Sequence, residues 1–92
     1  MDITLRKDAA AGRYELLVDG DLGSFTEYFV DGDRVVMPHT VTTPRFRGQG
    51  LAARVVRYAL DDIRPTGRKV VPTCWFVADI VDSDQYRDLL AD

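Results

Sequence analysis

The stretch Arg47-Gly48-Gln49-Gly50-Leu51-Ala52-Ala53-Arg54-Val55-Val56 decides how this chain folds. It joins two different hydrophobic periods. Before it, Arg34 to Thr42 alternates, with Val35, Met37, His39 and Val41 on one face, which is the period of a strand. After it, Leu51, Val55, Ala59 and Ile63 recur every four residues, with Ala52, Val56 and Leu60 beside them. That is the apolar stripe of an amphipathic helix of about four turns. Pro65-Thr66-Gly67 stops the helix, and Lys69 to Thr73 reads as a short β-branched strand. A strand, a helix and a strand in this order predict two parallel strands joined by a right-handed crossover.

Working outward, Ile3–Lys7, Arg13–Val18 and Leu22–Val30 read as strands. They are separated by the turns Ala10-Ala11-Gly12, Asp19-Gly20-Asp21 and Asp31-Gly32-Asp33. Tyr14, Phe25, Tyr28 and Phe29 read as sheet-face packing. From Cys74 onward Trp75, Phe76, Ala78, Ile80 and Val81 suit a helix, and Ser83 is placed to cap a last short helix holding Tyr86, Leu89 and Leu90. The expected order is β-β-β-β-α-β-α-α, a mixed α+β sheet in which the fourth and fifth strands are parallel. Pro38 and Pro72 fall in those two strands and supply no N–H to a ladder. Either they end the pairing and let the strands splay, or they sit at a bulge or strand end.

The length of 92 residues predicts a single domain over 1–92, with room for one modest core. A hydrophobic content of 46% is that of a folded chain rather than a disordered one. The net charge of -3 argues against nucleic acid as a partner. Residues 45–69 nevertheless carry seven basic and two acidic side chains, a local +5, while the other residues sum to -8. These arginines are either a solvated helix face or a local anion site. Cys74 is the only cysteine, so no intramolecular disulfide is available. The opening Met1-Asp2-Ile3-Thr4-Leu5 does not read as a signal peptide, and no apolar run is long enough for a membrane span. A cytoplasmic protein, monomeric or weakly dimeric, with no membrane partner, is the expectation. No Cys/His cluster points to a metal. Asp19, Asp21, Asp31 and Asp33 flank turn glycines without the closing Glu of a calcium loop.

The junction has its own chemistry. A helix start presents unpaired backbone N–H groups and the positive end of the macrodipole, and glycines let a bulky anion approach. Arg47 adds a charge-assisted contact. The junction lacks the third glycine of a dinucleotide fingerprint and the Gly-Lys-Ser/Thr ending of a P-loop. Taken alone, it is equally a turn. Cys74 is by default a small buried hydrophobe, but it follows Pro72-Thr73 and opens the next helix, where a thiolate is favoured. His39, the only histidine, is either a hydrogen-bonded structural residue or a proton acceptor. Trp75 and Phe76 either line a cleft or pack in the core.

Arg47-Gly48-Gln49-Gly50-Leu51-Ala52 resembles the pyrophosphate loop of the GNAT acetyltransferases, Gln/Arg-x-x-Gly-x-Gly/Ala, at Arg47, Gly50 and Ala52. Arg45, Gly48 and Gly50 fit the same pattern two residues earlier, but the later register is the expected one because it places the loop on the helix start. With His39-Thr40, Pro44-x-Phe46-Arg47-Gly48-x-Gly50 and Val70-Val71-Pro72-Thr73-Cys74-x-Phe76-Val77, nearly the whole chain resembles the shortest branch of that family, which lacks its two N-terminal helices. The resemblance implies an acetyl-CoA site between the splayed fourth and fifth strands. The coenzyme A contacts would come from Val41, Thr42, Arg47, Gly48, Gln49, Gly50, Leu51, Ala52 and Ala53, and catalysis from Cys74 and His39. It implies transfer of an acetyl group to an amine acceptor, on a small molecule or a protein, directly or through Cys74. A coenzyme A-binding module with little transferase activity, acting through a partner, is the alternative. The chain departs from the family pattern at Val41, where relatives carry Glu, at Trp75, where they carry Pro, and at Ser83-Asp84-Gln85-Tyr86, where they carry His-Pro-Glu-Tyr.

Overall fold

Turn residues divide the first half of the chain into strands. The structure is a computed structural model that describes residues 1–92. Its strands are β1 (Ile3–Asp8), β2 (Arg13–Val18), β3 (Asp21–Glu27), β4 (Phe29–Asp31), β5 (Arg34–Val36) and β6 (Thr40–Thr42). The helix α1 (Leu51–Ile63), the strand β7 (Lys69–Val71) and the helix α2 (Trp75–Val81) follow. One antiparallel sheet has the order β1-β2-β3-β6. A second has the order β4-β5-β7, with β5 and β7 parallel as the α1 crossover requires.

The α+β class and the parallel pair match the sequence reading, but the strand count does not. The expected strand Arg34–Thr42 is two strands in two sheets. The N–H of Met37 donates to the Val71 carbonyl at 3.0 Å, and Pro38 then offers no donor to continue. The His39 carbonyl accepts from the Glu27 N–H at 2.8 Å, so the chain has crossed to β3. Leu22–Val30 divides for a related reason at Tyr28, whose N–H donates to the Gly12 carbonyl at 3.0 Å. β7 ends at Val71, before Pro72. The β5–β7 ladder therefore stops at these prolines. One further backbone bond runs from the Cys74 N–H, past Pro72, to the Met37 carbonyl at 3.1 Å, and the two sheets diverge beyond it.

The expected third helix is also absent. Arg87–Leu89 is a single 3-10 turn, and Ser83 caps nothing with its side chain. The tail has a better use for its backbone at the outer edge of β7. Leu90 bridges Val70 in parallel, and the Ala91 N–H donates to the Val70 carbonyl at 2.9 Å. Arg64 holds the turn through Asp88 and the Gln85 carbonyl.

The apolar stripe of α1 does what its spacing predicts. Leu51, Val55, Val56, Ala59, Leu60 and Ile63 are buried, against Tyr14, Leu16 and Val18 of β2 and Val35, Met37 and Val70 of the second sheet. Each large side chain so buried contributes about 1.5–3 kcal/mol. The start of α1 can approach because Gly23 has no side chain. A Cβ there would lie 3.0 Å from Val18 Cγ2 and 3.2 Å from Leu51 Cδ1. Tyr14, Phe25 and Tyr28 pack on the sheet, whereas Phe29 is exposed on the edge strand β4.

Glu15 is buried on the face of β2 turned away from α1, beneath the stems of two arginines. Arg6 Nε donates to one carboxylate oxygen at 2.7 Å and Arg13 Nε to the other at 2.6 Å. Burial alone would raise the Glu15 pKa, but the two guanidinium hydrogen bonds outweigh it and hold the carboxyl below its ordinary value. The resulting stability is whole above the ordinary glutamate value of about 4.3 and is lost as pH falls through the lowered folded value. Glu15→Gln is expected to cost about 1–3 kcal/mol at neutral pH. Its melting temperature should fall less than that of the wild type on acidification from about pH 6 to pH 3. Equal falls in the two proteins would remove Glu15 from the acid response.

Candidate active site

Where the two sheets diverge, a cleft of about 410 Å³ opens. One wall is β6, with Thr40, Val41 and Thr42. The other is the start of α2, with Cys74, Trp75 and Phe76. Arg47 and Ala52 close the far end, where a second cavity of about 260 Å³ continues along Phe46, Gly48, Gly50, Leu51 and Ala53. The two cavities share Thr42, Arg47, Ala52 and Phe76, and so form one groove from the start of α1 to the start of α2.

At the α1 end the backbone is prepared for an anion. Gly50, the N-cap, sits in the left-handed region at φ 74° and ψ 17°. No side chain caps the helix, and its first turn contains no acidic residue. The Arg54 N–H donates to the Gly50 carbonyl at 3.3 Å, which leaves the N–H groups of Leu51, Ala52 and Ala53 without helical partners. Arg47 is exposed, lines both cavities and makes no ion pair. Arg45 instead binds Asp21 at 2.7 Å and stacks on Phe46. Of the two possible loop registers, the one on Arg47 therefore faces the groove.

At the other end the backbone of β6 matters more than its side chains suggest. Glu27 pairs through the His39 carbonyl and Gly23 through the Thr43 N–H, two residues to either side of the Phe25–Val41 pair. Antiparallel alternation then turns the peptide groups of Val41 toward β3, and those of Thr40 and Thr42 toward the cleft. The Cys74 thiol is half-buried and donates to Thr40 Oγ1 at 3.7 Å. Thr40 Oγ1 also meets the buried Thr26 Oγ1 at 3.0 Å.

The groove thus brings together Cys74, Val41, Thr42, Arg47, Gly48, Gly50, Leu51, Ala52 and Ala53. Gln49 is exposed and lines neither cavity. His39 is exposed too, outside the lining and with no hydrogen bond to Cys74. Thr40, the residue that touches the thiol, stands in the His39-Thr40 pair of the family pattern, but nothing in the sequence assigned it to Cys74. Only the β3–β6 register reveals it.

A sequence profile of the GCN5-related N-acetyltransferases matches residues 13–89. The chain belongs to this family. A GCN5-like protein from Staphylococcus aureus, solved by NMR, superposes with a TM-score of 0.71 at 18% identity, over 98% of this chain and 87% of its own. The ribosomal-protein-S18-alanine N-acetyltransferase from Escherichia coli superposes with a TM-score of 0.62 at 18% identity. That match takes in 65% of this chain and 39% of the Escherichia coli enzyme, so the chain spans well under half of that enzyme. At such identity these likenesses show the shared fold. A search of curated proteins gives no match.

The loop that leads into α1 makes a direct demand on Gly50. A Cβ there would meet nothing within 4 Å, so the restriction is conformational rather than steric crowding. Gly50→Ala is expected to cost about 1–2 kcal/mol, and Gly50→Asn less, since Asn tolerates the left-handed region. Urea unfolding of both variants checks this; equal costs would show that the φ of Gly50 is not what matters.

Proposed function

We propose that this chain transfers an acetyl group from acetyl-CoA to an amine. The observation that carries the reading is the groove itself, which leads from an uncapped helix start to a thiol. Its residues fit coenzyme A in sequence along the groove. The free N–H groups of Leu51, Ala52 and Ala53 would donate to pyrophosphate oxygens, with Arg47 adding a guanidinium. The cleft-facing peptide groups of Thr40 and Thr42 would pair with the amides of the pantetheine arm. One of their N–H groups would also polarise the thioester carbonyl.

Two routes lead from there. In direct transfer the amine nitrogen attacks the acetyl carbon, the C–S bond breaks, and the proton released by nitrogen ends on the coenzyme A thiol. In the Cys74 route Sγ attacks first and its proton passes to the departing coenzyme A sulfur; the amine nitrogen then attacks the acetyl carbon, the bond to Sγ breaks, and the proton released by nitrogen returns to Sγ. Thr40 holds Sγ for the first attack. His39, expected from sequence to move the proton, lies outside the cleft, and we assign it no contact with the reacting atoms.

A second reading, a coenzyme A-binding module with little turnover, is favoured by one feature: no carboxylate or imidazole lines the cleft. The two readings share the binding step and separate at product release.

Acetyl-CoA should raise the melting temperature, and Arg47→Ala should weaken binding by about tenfold or more, the worth of one charge-assisted hydrogen bond. Failure of acetyl-CoA to bind would end both readings. Intact-mass measurement after incubation with acetyl-CoA should show one added acetyl group in the wild type and none in Cys74→Ser if the thiol is the carrier. Wild-type rates in Cys74→Ser would assign direct transfer. His39→Ala should keep its rate within about threefold of wild type, well short of the ~10²-fold loss of a general base.

A further inference from the structure

Trp75 is the only tryptophan of the chain, and it stands 75% exposed on the wall of the cleft beside Cys74. Large apolar side chains left open on a groove mark contact surfaces rather than packing. Its ring meets Phe76 edge-on, with centroids 5.8 Å apart and planes at 87°. The pair makes an aromatic corner in which flat rings pack well.

The charge in the cleft restricts what can fill that corner. Arg47 is the only charged side chain in the lining, and the polar ones, Thr40 and Thr42, are hydroxyls. An alkylammonium at the Cys74 end would find no carboxylate to pair with. It would also still hold the proton that must leave before nitrogen can attack, and the lining holds no group to take it. An aromatic amine meets neither obstacle. Its lone pair is delocalised into the ring, so the nitrogen is neutral near pH 7. Its attack on the acetyl carbon forms the C–N bond, breaks the C–S bond, and transfers the surplus proton to the departing coenzyme A thiolate. No protein base is needed.

We infer that the acceptor is a weakly basic aromatic amine and that Trp75 selects its ring. This rests on the acetyl-transfer reading of the same groove.

Aniline and benzylamine test it, because they share a ring and differ in basicity. Acetyl-CoA-dependent thiol release should show kcat/KM for aniline at least about tenfold above that for benzylamine at pH 7. The aniline rate should be flat from about pH 6.5 to 8.5, while the benzylamine rate climbs about tenfold per pH unit as free base forms. Trp75→Ala should raise the aniline KM about tenfold and leave the acetyl-CoA Kd within about twofold. Aniline alone should change the fluorescence of this single tryptophan. The indole face also attracts cations, and a preference for benzylamine at pH 7 would show that this attraction governs and would overturn the inference. So would a Trp75→Ala protein that loses acetyl-CoA affinity instead, since Trp75 would then cover the pantetheine arm. If acetyl-CoA does not bind at all, the proposed function fails and takes the inference with it. If it binds and aniline is not preferred, only the inference fails.

Discussion

Pro38 has no N–H, and it falls where β5 would otherwise continue alongside β7. The residue before it exhausts the pairing: the Met37 N–H donates to Val71, and its carbonyl accepts from the Cys74 N–H at 3.1 Å. From His39 onward the chain belongs to the other sheet. Because β6 turns away, its outer edge has no strand beside it, and Thr40 and Thr42 present peptide groups to open space. Because the Met37 carbonyl catches the Cys74 N–H, α2 begins directly across that space. The groove is the gap between two strands that one proline prevents from pairing.

A gap of this kind would be a defect if its floor were soft. Behind β6 lie Ser24 and Thr26, both fully buried. Thr26 bonds to Thr40, and Ser24 bonds to Thr42 Oγ1 at 3.2 Å and to the Val41 carbonyl at 2.8 Å. Every buried side-chain polar atom of the protein has a partner. Buried hydroxyls without partners would be expensive, and satisfied ones fix orientation. The floor is therefore polar and still ordered. Cys74 meets the exposed end of this hydroxyl ladder, which gives its thiol one defined neighbour.

The helix was legible in the sequence because periodicity alone determines which face of α1 is buried. Gly50 was legible as the glycine of the turn between a strand and that stripe, and it takes the left-handed φ such a turn requires. What the sequence left open were pairings between distant residues. Pro38 could be read as a stop, but not which sheet would receive each half of the broken strand. Arg45 and Arg47 both fit the loop motif, and position at the helix start favoured Arg47; the ion pair of Arg45 with Asp21, far away in sequence, was not legible. Thr40 is one of several threonines, and only its cross-strand register with Thr26 brings it to Cys74. At the C-terminus Ser83, Tyr86 and Leu89 satisfied a local helix rule, but the unpaired edge of β7 offered the tail a long-range alternative. Local rules failed wherever an open strand edge competed with them.

The same distinction sharpens the meaning of the basic stretch between residues 45 and 69. Structure consumes four of its seven cations: Arg45 on Asp21, Arg64 on Asp88, Arg68 on the Gly32 carbonyl and Lys69 on the Asp88 carbonyl. Arg47, Arg54 and Arg57 have no ion pair, and they sit in the loop and first two turns of α1. Of these only Arg47 lines the groove, where it joins the positive end of the helix dipole; Arg54 and Arg57 line a separate cavity with Leu5, Tyr58 and Asp61. Exposed charges are screened over about 8–10 Å in physiological salt, so this field acts at the groove mouth and not across the molecule. The Cys74 end, walled by hydroxyls and aromatic rings, lies beyond the loop that holds Arg47. A ligand with a polyphosphate at one end and a thioester at the other can enter this groove in only one favourable direction. In the function proposed above, that direction would bring its reactive carbon to Thr40, Cys74 and Trp75.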